Sequence, residues 1–262
     1  MAKGQHSPIR IVQITDTHLY SEGSGTLLKM NTKHSFKQVL ELVRMHDSPP
    51  DLILGTGDIA HDASATAYDF FKSSIGALNV PFMWLPGNHD NALLMQSLAE
   101  GTSAAYKHMQ LGSWLIVMLD TSVGGQVHGA LSAEELAFLS AQLEASGLSD
   151  SVDHVLVGMH HNPIRGTAGW MKDIGLRNPE KFWETAKTSS KLRAVVYGHI
   201  HQELDFEFAG IGVCAERGRW LRSKALESSG APASAETKLA ADAACVRSVL
   251  SAERQSVVTR HQ

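Results

Sequence analysis

Polar side chains with the chemistry of metal ligands follow five predicted strands of this chain. The sequence has 14 histidines. Several of them, together with Asp and Asn, come directly after apolar segments that are typical of buried strands. Because the carboxyl ends of parallel strands lie on one edge of an α/β sheet, we expect these side chains to meet there although they span most of the sequence. The set comprises Asp16, His18, Asp58, Asn88, His89, His160, His199 and His201.

The types of residue in this set indicate a particular chemistry. Carboxylate and imidazole without cysteine suit Mn, Fe or Zn better than a thiolate site does. Two divalent ions ~3.5–4 Å apart repel each other, so a carboxylate must bridge them, and an Asp on a short glycine-flanked turn suits that role. Bound ions also generate hydroxide from water at neutral pH. The set therefore predicts hydrolysis of a phosphate ester by in-line attack. Any one of these residues alone would be weak evidence, since a single Asp at a strand end is often a helix cap.

Hydrophobic periodicity predicts the elements that position the set. Strands are predicted over 9–14, 52–54, 80–85, 114–119, 154–159 and 192–197, and a half-exposed strand contains Leu204, Phe206 and Phe208. Helices are predicted over 32–46, 65–78, 92–98 and 179–188. A further helix begins at the capping box Ser132-Ala133-Glu134-Glu135 and extends to about residue 145. Strands alternating with helices indicate an α/β fold.

Composition narrows the class of protein. The chain has 262 residues, 43% of them hydrophobic, which fits one large α/β domain or two small ones. The net charge of -4 argues against general electrostatic binding to nucleic acid or anionic membrane. Two cysteines form no disulfide framework, and neither a secretory signal nor an apolar run of ~20 residues is evident. We therefore expect a cytoplasmic protein without a nucleic-acid polymer or a membrane as partner.

The order of the motifs resembles the calcineurin-like metallophosphoesterase family. The motifs are Asp16-Thr17-His18, Gly57-Asp58, Gly87-Asn88-His89-Asp90, His160 and Gly198-His199-Ile200-His201. The resemblance covers roughly residues 9–210. It implies an α/β sandwich of two mixed sheets flanked by helices, with the site at the carboxyl ends of the strands. It also implies a catalytic domain over residues 1–211.

The resemblance assigns a role to each residue of the set. It implies that Asp58 bridges two divalent metal ions. One ion would be held by Asp16, His18 and His201, and the other by Asn88, His160 and His199. It implies that His89 contacts the phosphate and acts as general acid, so that Asn88, His89, His18 and His201 are the residues that bind substrate. His161 is the alternative to His160 as ligand, and Asp90 is expected to orient His89 or to cap the next helix. Fe²⁺ or Mn²⁺ is expected, with Zn²⁺ or Mg²⁺ as alternatives.

Shorter stretches resemble bacterial 3′,5′-cyclic AMP phosphodiesterases. These are Asn31-Thr32, His161-Asn162-Pro163, Gly169-Trp170-Met171, Gly175-Leu176-Arg177-Asn178 and Gly198-His199-Ile200-His201-Gln202. They imply that a metal-bridging hydroxide opens 3′,5′-cyclic AMP to 5′-AMP. The expected oligomeric state, monomer or homodimer, does not depend on these stretches. The alternatives are that Trp170 and Met171 are core residues and that Asn178 begins a helix. At the level of function the alternatives are another nucleotide or phosphodiester as substrate, or a catalytically impaired scaffold on the same fold.

The segment 212–262 departs from the family pattern. It is rich in Ala, Ser, Arg and Glu, and its only aromatic residue is Trp220. We predict an atypical tail that is helical or disordered, either frameshifted or divergent, with Ala235, Leu239, Ala243, Val246 and Leu250 on one helix face. The further β structure expected of the family is not predicted here, so a sheet edge would remain exposed.

Overall fold

The computed structural model describes residues 9–46, 48–165, 169, 173–202, 204–215 and 245–251. The strands are β1 Ile9–Thr15, β2 Thr26–Leu27, β3 Met30–Asn31, β4 Leu52–Thr56, β5 Phe82–Leu85, β6 His108–Leu111, β7 Trp114–Met118, β8 His154–Gly158, β9 Leu192–Tyr197, β10 Leu204–Phe208, β11 Ile211–Ala215 and β12 Cys245–Ser251. The helices are α1 Thr32–Met45, α2 Ala65–Gly76, α3 Ala92–Ala99, α4 Ala133–Leu148 and α5 Pro179–Ala186. Within these residues, every helix is too short or too polar to cross a bilayer.

Two mixed sheets carry the fold. One has four strands in the order β12-β1-β4-β5, with β1, β4 and β5 parallel and β12 antiparallel to β1. The other has six strands in the order β10-β11-β9-β8-β7-β6. Its four central strands are parallel, and β10 and β6 run antiparallel to their neighbours. The predicted α/β fold with two mixed sheets flanked by helices is confirmed.

The hydrophobic core has three layers that follow from this arrangement. Between the sheets, residues of the four-stranded sheet pack against residues of the six-stranded sheet, among them Ile11, Leu54, Met83, Ile116, Leu156 and Val196. On the outer face of the four-stranded sheet, Phe36 of α1 stacks on Phe71 of α2 with ring centroids 5.1 Å apart. On the outer face of the six-stranded sheet, Leu139 of α4 and Phe182 of α5 are fully buried. Each buried side chain of this kind contributes on the order of 1.5–3 kcal/mol, so the packing fixes one sheet against the other.

The start of α4 follows the prediction in part. The Ser132 hydroxyl accepts the backbone N–H of Glu135 at 3.1 Å, as an N-cap does. The reciprocal half of the predicted capping box is wrong. The Glu135 carboxylate instead accepts the backbone N–H of Asp120 at 3.1 Å and pairs with Lys107. The reason is geometric, because α4 packs on the six-stranded sheet and the carboxylate reaches the end of β7. It thereby ties α4 to that strand.

The C-terminal segment contains strands that the sequence analysis did not predict. The boundary expected at 211/212 falls inside β11, and β12 pairs with β1 from Ile9↔Ser251 to Thr15↔Cys245. The helix expected for Val246 and Leu250 is wrong, because both lie in β12. That strand supplies a backbone partner along β1, so the exposed edge expected there is covered. Ala235, Leu239 and Ala243 lie outside the described residues, and the division into a domain over 1–211 and a tail over 212–262 stays a prediction.

Candidate metal centre

All eight predicted site residues lie in loops at the carboxyl ends of five strands. Both sheets contribute to the cluster. Asp16 and His18 follow β1, Asp58 follows β4, Asn88 and His89 follow β5, His160 follows β8, and His199 and His201 follow β9. Bonds between the two sheets hold these loops together, since the backbone N–H of His199 donates to Asp16 at 3.0 Å. The structure thus brings the whole predicted set into one cluster.

Five of these residues adopt a backbone conformation that is uncommon for residues other than glycine. Their φ angles are positive: Asp16 53°, His18 42°, Asp58 49°, His199 72° and His201 49°. Each such residue costs on the order of 1–3 kcal/mol, and residues of this kind cluster at functional sites. The surrounding sheet ends therefore hold the loops in a conformation that aims the side chains at a common point.

Glycines let the loops approach one another closely. A Cβ atom on Gly87 would lie 2.2 Å from Asp58 Oδ1, and one on Gly57 would lie 2.4 Å from His160 Nδ1. A Cβ atom on Gly198 would lie 2.1 Å from the Thr15 hydroxyl. Only glycine fits at these positions, because no real Cβ contact is that short. The glycine-flanked turns thus allow the carboxylate and imidazole groups to converge.

One group of donor atoms surrounds the Nε2 atoms of two histidines. His18 Nε2 lies 3.1 Å from His201 Nε2 and 3.6 Å from Asp58 Oδ2. His201 Nε2 lies 3.4 Å from Asp16 Oδ1. Ligands bonded to one ion at ~2.0–2.2 Å are themselves separated by ~3–3.6 Å. Asp16, His18 and His201 therefore fit a divalent cation without rearrangement, and they also form one of the groups whose ligand atoms lie within 4.8 Å of each other.

A second group of donor atoms lies on the other side of Asp58. His160 Nε2 is 3.4 Å from Asp58 Oδ1 and 3.2 Å from Asn88 Oδ1. The two oxygens of Asp58 thus face different imidazoles, with Oδ2 toward His18 and Oδ1 toward His160. A carboxylate in this position suits a bridge between two cations. The donors are carboxylate oxygens, an amide oxygen and imidazole nitrogens, without a thiolate, as hard or borderline divalent ions require.

Backbone carbonyls fix the orientation of two of the imidazoles. His160 Nδ1 lies 2.9 Å from the Thr56 carbonyl oxygen, and His199 Nε2 lies 3.0 Å from the Ile174 carbonyl oxygen. Such outer bonds are typical of metal-ligating histidines, because they set the tautomer and leave the other nitrogen as a lone pair. Nε2 of His160 and Nδ1 of His199 are then the nitrogens available to an ion.

His161 differs from its neighbour His160. It is fully buried, with Nδ1 2.8 Å from the Thr121 hydroxyl and Nε2 3.1 Å from the Val127 carbonyl oxygen. Both ring nitrogens therefore have protein partners. Burial lowers the pKa of His161 to about 2, and the neighbouring His160 is the second cause of that shift. The geometry favours His160 over His161 as the ligand, although His161 lies within reach of His160 and His199.

The buried charges of the centre form a coupled pair. Burial acts to raise the pKa of Asp58, but His160 overcomes it and the pKa lies well below the usual value. Burial acts to lower the pKa of His160, but the Asp58 carboxylate raises it to about 9. Burial lowers the pKa of His18 and of His199 to about 4. Without a bound cation, the Asp58 carboxylate is thus ionised and His18 and His199 are neutral, whereas His160 carries a proton that an incoming cation would displace.

His89 is the exposed member of the set. Its backbone N–H donates to Asp58 Oδ1 at 2.9 Å. The ring lies edge-on to His18, with centroids 4.9 Å apart at 85°. The imidazole is open to solvent beside the buried ligand atoms. It can therefore contact a substrate that enters from outside.

Asp90 has a different role from either expected one. Its carboxylate accepts the backbone N–H groups of Ile59 at 3.1 Å, Ala60 at 2.9 Å and Gly87 at 2.9 Å, and the Tyr68 hydroxyl donates to it at 3.1 Å. The residue that caps α3 is Asn91, which accepts the N–H of Leu94 at 3.1 Å. Each of the two Asp90 oxygens already accepts two donors, and none of the four comes from the His89 side chain. It ties the turn after Asp58 to the turn before Asn88.

His61 contacts the centre although the sequence analysis did not select it. Its Nδ1 lies 3.3 Å from His18 Nδ1, and its ring stacks on His89 with centroids 4.7 Å apart at 24°. His61 is three residues beyond Asp58 in the same loop. That proximity in sequence was the available signal, but it does not distinguish a contact from a surface histidine.

The shorter motif stretches have mainly structural contacts. Asn31 caps α1 by accepting the N–H of His34 at 2.7 Å. Asn178 precedes α5 at its N-cap position, and its amide bonds both the N–H and the carbonyl of Leu131, at 3.0 and 2.8 Å. Asn162 is buried and donates to the Ile164 carbonyl at 2.8 Å. Trp170 and Met171 lie outside the described residues.

Fold and site together define a phosphoesterase of the two-sheet α/β sandwich class. The sequence profile of the calcineurin-like phosphoesterase family matches residues 9–203. The chain belongs to this family, whose members use a dinuclear metal centre, and the predicted resemblance is confirmed.

Curated relatives of known name are similar over most of their length. The chain is 36% identical over 197 residues to the 3′,5′-cyclic adenosine monophosphate phosphodiesterase CpdA of Pseudomonas aeruginosa. The aligned region covers 75% of this chain and 71% of the Pseudomonas protein. The chain is 38% identical over 205 residues to the protein of the same name from Escherichia coli, covering 77% of this chain and 73% of that one. Among solved structures, a dimetal phosphatase from Danio rerio superposes with a TM-score of 0.63 at 14% identity, covering 79% of this chain and 86% of that one. That last likeness concerns the fold alone.

Proposed function

We propose that this chain is a metal-dependent phosphodiesterase that hydrolyses 3′,5′-cyclic AMP to 5′-AMP. The observation that carries the proposal is the position of Asp58, whose two oxygens face two separate groups of nitrogen and oxygen donors. The substrate rests on the relatives, since proteins 36% and 38% identical to this chain are named for that activity. The predicted alternatives are another nucleotide or phosphodiester as substrate, or an impaired scaffold.

The ligand residues would divide between two cations. Asp16, His18 and His201 would hold one ion, Asn88, His160 and His199 would hold the other, and Asp58 would be shared by both. Oxygen and nitrogen ligands accept Fe²⁺ or Mn²⁺, which we propose first, and also Zn²⁺ or Mg²⁺. When bound, the two ions supply an activated water at neutral pH and neutralise charge on the phosphoryl oxygens.

The exposed residues of the cluster receive the substrate. His89 is exposed, while Asn88 and His201 are half-buried, so these three face the side from which a nucleotide enters. His18 lies behind them, in contact with the His89 ring. We assign substrate binding to Asn88, His89, His18 and His201. They hold the phosphodiester so that the 3′ oxygen leaves opposite the attacking water.

His89 is the proposed general acid. Hydrolysis of the cyclic ester forms a bond from water oxygen to phosphorus and breaks the bond from phosphorus to the 3′ oxygen. The leaving 3′ alkoxide is a strong base and needs a proton, which His89 provides from a solvent-exposed ring. The imidazole regains its proton from the water that attacked or from bulk solvent.

A side-by-side comparison of substrates tests the proposal. Metal-stripped protein reloaded with Mn²⁺ is assayed on 3′,5′-cyclic AMP, on 2′,3′-cyclic AMP and on a bis-aryl phosphate. We expect the highest kcat/KM for 3′,5′-cyclic AMP and a loss of at least ~100-fold for Asp58→Asn. A matched control is Asp69→Asn on the exposed face of α2, whose kcat/KM should stay within twofold. No preference for 3′,5′-cyclic AMP would contradict the substrate assignment, and full activity of Asp58→Asn would contradict the metal centre. The predicted cytoplasmic location and the oligomeric state, monomer or homodimer, stay predictions.

A further inference from the structure

His61 contacts two residues of the proposed centre, His18 and His89, and is not itself one of the predicted ligands. Its backbone is fixed by three bonds that join the loop after β1 to the loop after β4. The N–H of His18 donates to the Asp58 carbonyl at 2.9 Å, that of Leu19 to the Ile59 carbonyl at 2.9 Å, and that of His61 to the Leu19 carbonyl at 2.8 Å. These main-chain bonds fix the backbone that carries the half-buried imidazole. A residue that positions other side chains needs such a rigid support.

The first contact of His61 is with the far nitrogen of a proposed ligand. His18 Nε2 faces Asp58 and His201, so its Nδ1 is the ring nitrogen turned away from the centre. That Nδ1 lies 3.3 Å from Nδ1 of His61. When a cation takes the lone pair on Nε2, the proton of a neutral imidazole resides on Nδ1, and the acceptor of that proton orients the ligand. His61 Nδ1 is in the position of this acceptor.

The second contact of His61 is with the proposed general acid. The rings of His61 and His89 are nearly parallel at 24°, with centroids 4.7 Å apart. Tyr20 also packs on the His61 ring in a tilted arrangement, with ring centroids 4.8 Å apart at 35°. The ring of His61 thus contacts Tyr20 and stacks on His89. Since His89 is exposed, this stack restricts a ring that would otherwise sample several rotamers.

We propose that His61 is a positioning residue that couples the two halves of the reaction, accepting the Nδ1 proton of His18 through its own Nδ1 and holding the His89 ring by stacking. The inference rests on the proposed function, because it assigns roles relative to a bound cation and to the acid His89. It also predicts that the hydrogen bond from His18 to His61 and the stacking of His61 on His89 affect different steps. The hydrogen bond governs metal affinity, and the stack governs protonation of the leaving group.

Two substitutions separate these contacts. His61→Asn places an amide oxygen near the position of Nδ1 and so keeps the acceptor, but it removes the ring. His61→Phe keeps a flat ring in contact with Tyr20 and His89, but it removes the acceptor. We expect His61→Phe to weaken Mn²⁺ binding to the metal-stripped protein about tenfold or more by calorimetry, and His61→Asn to stay within about threefold of wild type.

The second readout is the ratio of kcat on 3′,5′-cyclic AMP to kcat on a bis-aryl phosphate at saturating Mn²⁺. An aryl leaving group needs little protonation, so a misplaced acid slows the cyclic nucleotide selectively. We expect His61→Asn to lower this ratio about tenfold and His61→Phe to leave it within about threefold.

The proposal is overturned if neither variant changes Mn²⁺ affinity or the kcat ratio. It is also overturned if both variants reduce both quantities equally in parallel with a lower Tm, since His61 would then be structural. If wild type did not hydrolyse 3′,5′-cyclic AMP, the proposed function would fail. The difference in Mn²⁺ affinity between the variants would still report on the bond from His18 to His61.

Discussion

Asp16 and His199 are 183 positions apart in sequence, yet the Asp16 carboxylate accepts the backbone N–H of His199 at 3.0 Å through Oδ1 and 3.1 Å through Oδ2. Asp16 follows β1 of the four-stranded sheet, and His199 follows β9 of the six-stranded sheet. One carboxylate thus joins the carboxyl ends of both sheets while it lies beside His201 Nε2. A proposed metal ligand therefore also helps to hold the two sheets together at the site.

Gly198 lies at this junction and has no room for a side chain. In Gly198→Ala the new methyl group would meet the Thr15 hydroxyl at 2.1 Å and Asp16 Oδ2 at 2.6 Å. We expect a loss of about 1–3 kcal/mol in the free energy of unfolding, measured by urea denaturation, and weaker Mn²⁺ binding. Gly147→Ala in α4 is the control, because a Cβ there meets nothing within 4 Å. It should be neutral or stabilising by about 0.5 kcal/mol, and equal effects of the two variants would refute the close packing.

Asp90 should contribute to the free energy of unfolding, although it lies next to the proposed catalytic residue His89. Asp90→Ala leaves the N–H groups of Ile59, Ala60 and Gly87 without their acceptor. Unsatisfied buried donors cost ~1–3 kcal/mol each, so we expect a loss of about 2–4 kcal/mol by chemical denaturation. Asp69→Ala is the comparison, since its carboxylate is exposed and pairs with Lys72 at the surface. That change should stay within about 0.5 kcal/mol. A loss no larger for Asp90→Ala would show that the three bonds contribute little.

Adjacent histidines should differ in their effect on metal content. In His160→Asn the amide can replace Nδ1 beside the Thr56 carbonyl, but nothing replaces Nε2 between Asp58 and Asn88. We expect the metal content, measured by elemental analysis after reloading with Mn²⁺, to fall from two ions per chain toward one. His161→Asn keeps a partner for the Thr121 hydroxyl and should retain two ions. If His161→Asn lost an ion and His160→Asn did not, the ligand would be His161.

The metal-free protein should lose stability between neutral and alkaline pH. The Asp58 carboxylate raises the pKa of His160 from an ordinary value of 6.5 to about 9, against the opposing effect of burial. A raised pKa means that the stabilisation is fully present below pH 6.5 and is lost as the pH rises through about 9. The effect is on the order of 3 kcal/mol, measured by urea denaturation at pH 6.5, 7.5 and 9.

A variant and added metal provide the controls for the predicted loss of stability at alkaline pH. His160→Asn has no such group and should show a flatter profile over the same range. Bound Mn²⁺ displaces the proton, so metal binding should become tighter as the pH rises across this interval. A wild-type profile as flat as that of His160→Asn would contradict the coupling of His160 to Asp58.

The sequence predicted the strand ends better than the loops between them. β1, β4, β8 and β9 are apolar runs that stop at Gly or at polar residues, so their ends and the ligand types were visible. β6 was missed because His108–Leu111 alternate between exposed and half-buried positions without a continuous apolar signal. β12 was missed because its pairing with β1 is a contact over more than 200 positions. Long-range backbone pairing of this kind leaves no local pattern.

Two properties of the site could not be predicted from the local sequence pattern. The positive φ angles of Asp16, His18 and Asp58 occur in non-glycine residues, only a few per cent of which adopt such angles, so the residue type does not predict them. The contacts of His61 and Asp90 depend on how two loops pack, since each residue bonds or stacks on a partner from a different strand end. Tertiary structure imposes both, which is typical of functional sites.

The proposed reaction of this chain is the opening of 3′,5′-cyclic AMP by attack of water at a metal centre. The direct measurement is ³¹P NMR of the product formed in ¹⁸O-labelled water by metal-stripped and by Mn²⁺-reloaded protein. We expect 5′-AMP with a single ¹⁸O on phosphorus from the reloaded protein, and at least ~100-fold less product from the stripped protein. Product formed equally well without metal, or 3′-AMP as the product, would contradict the proposed reaction.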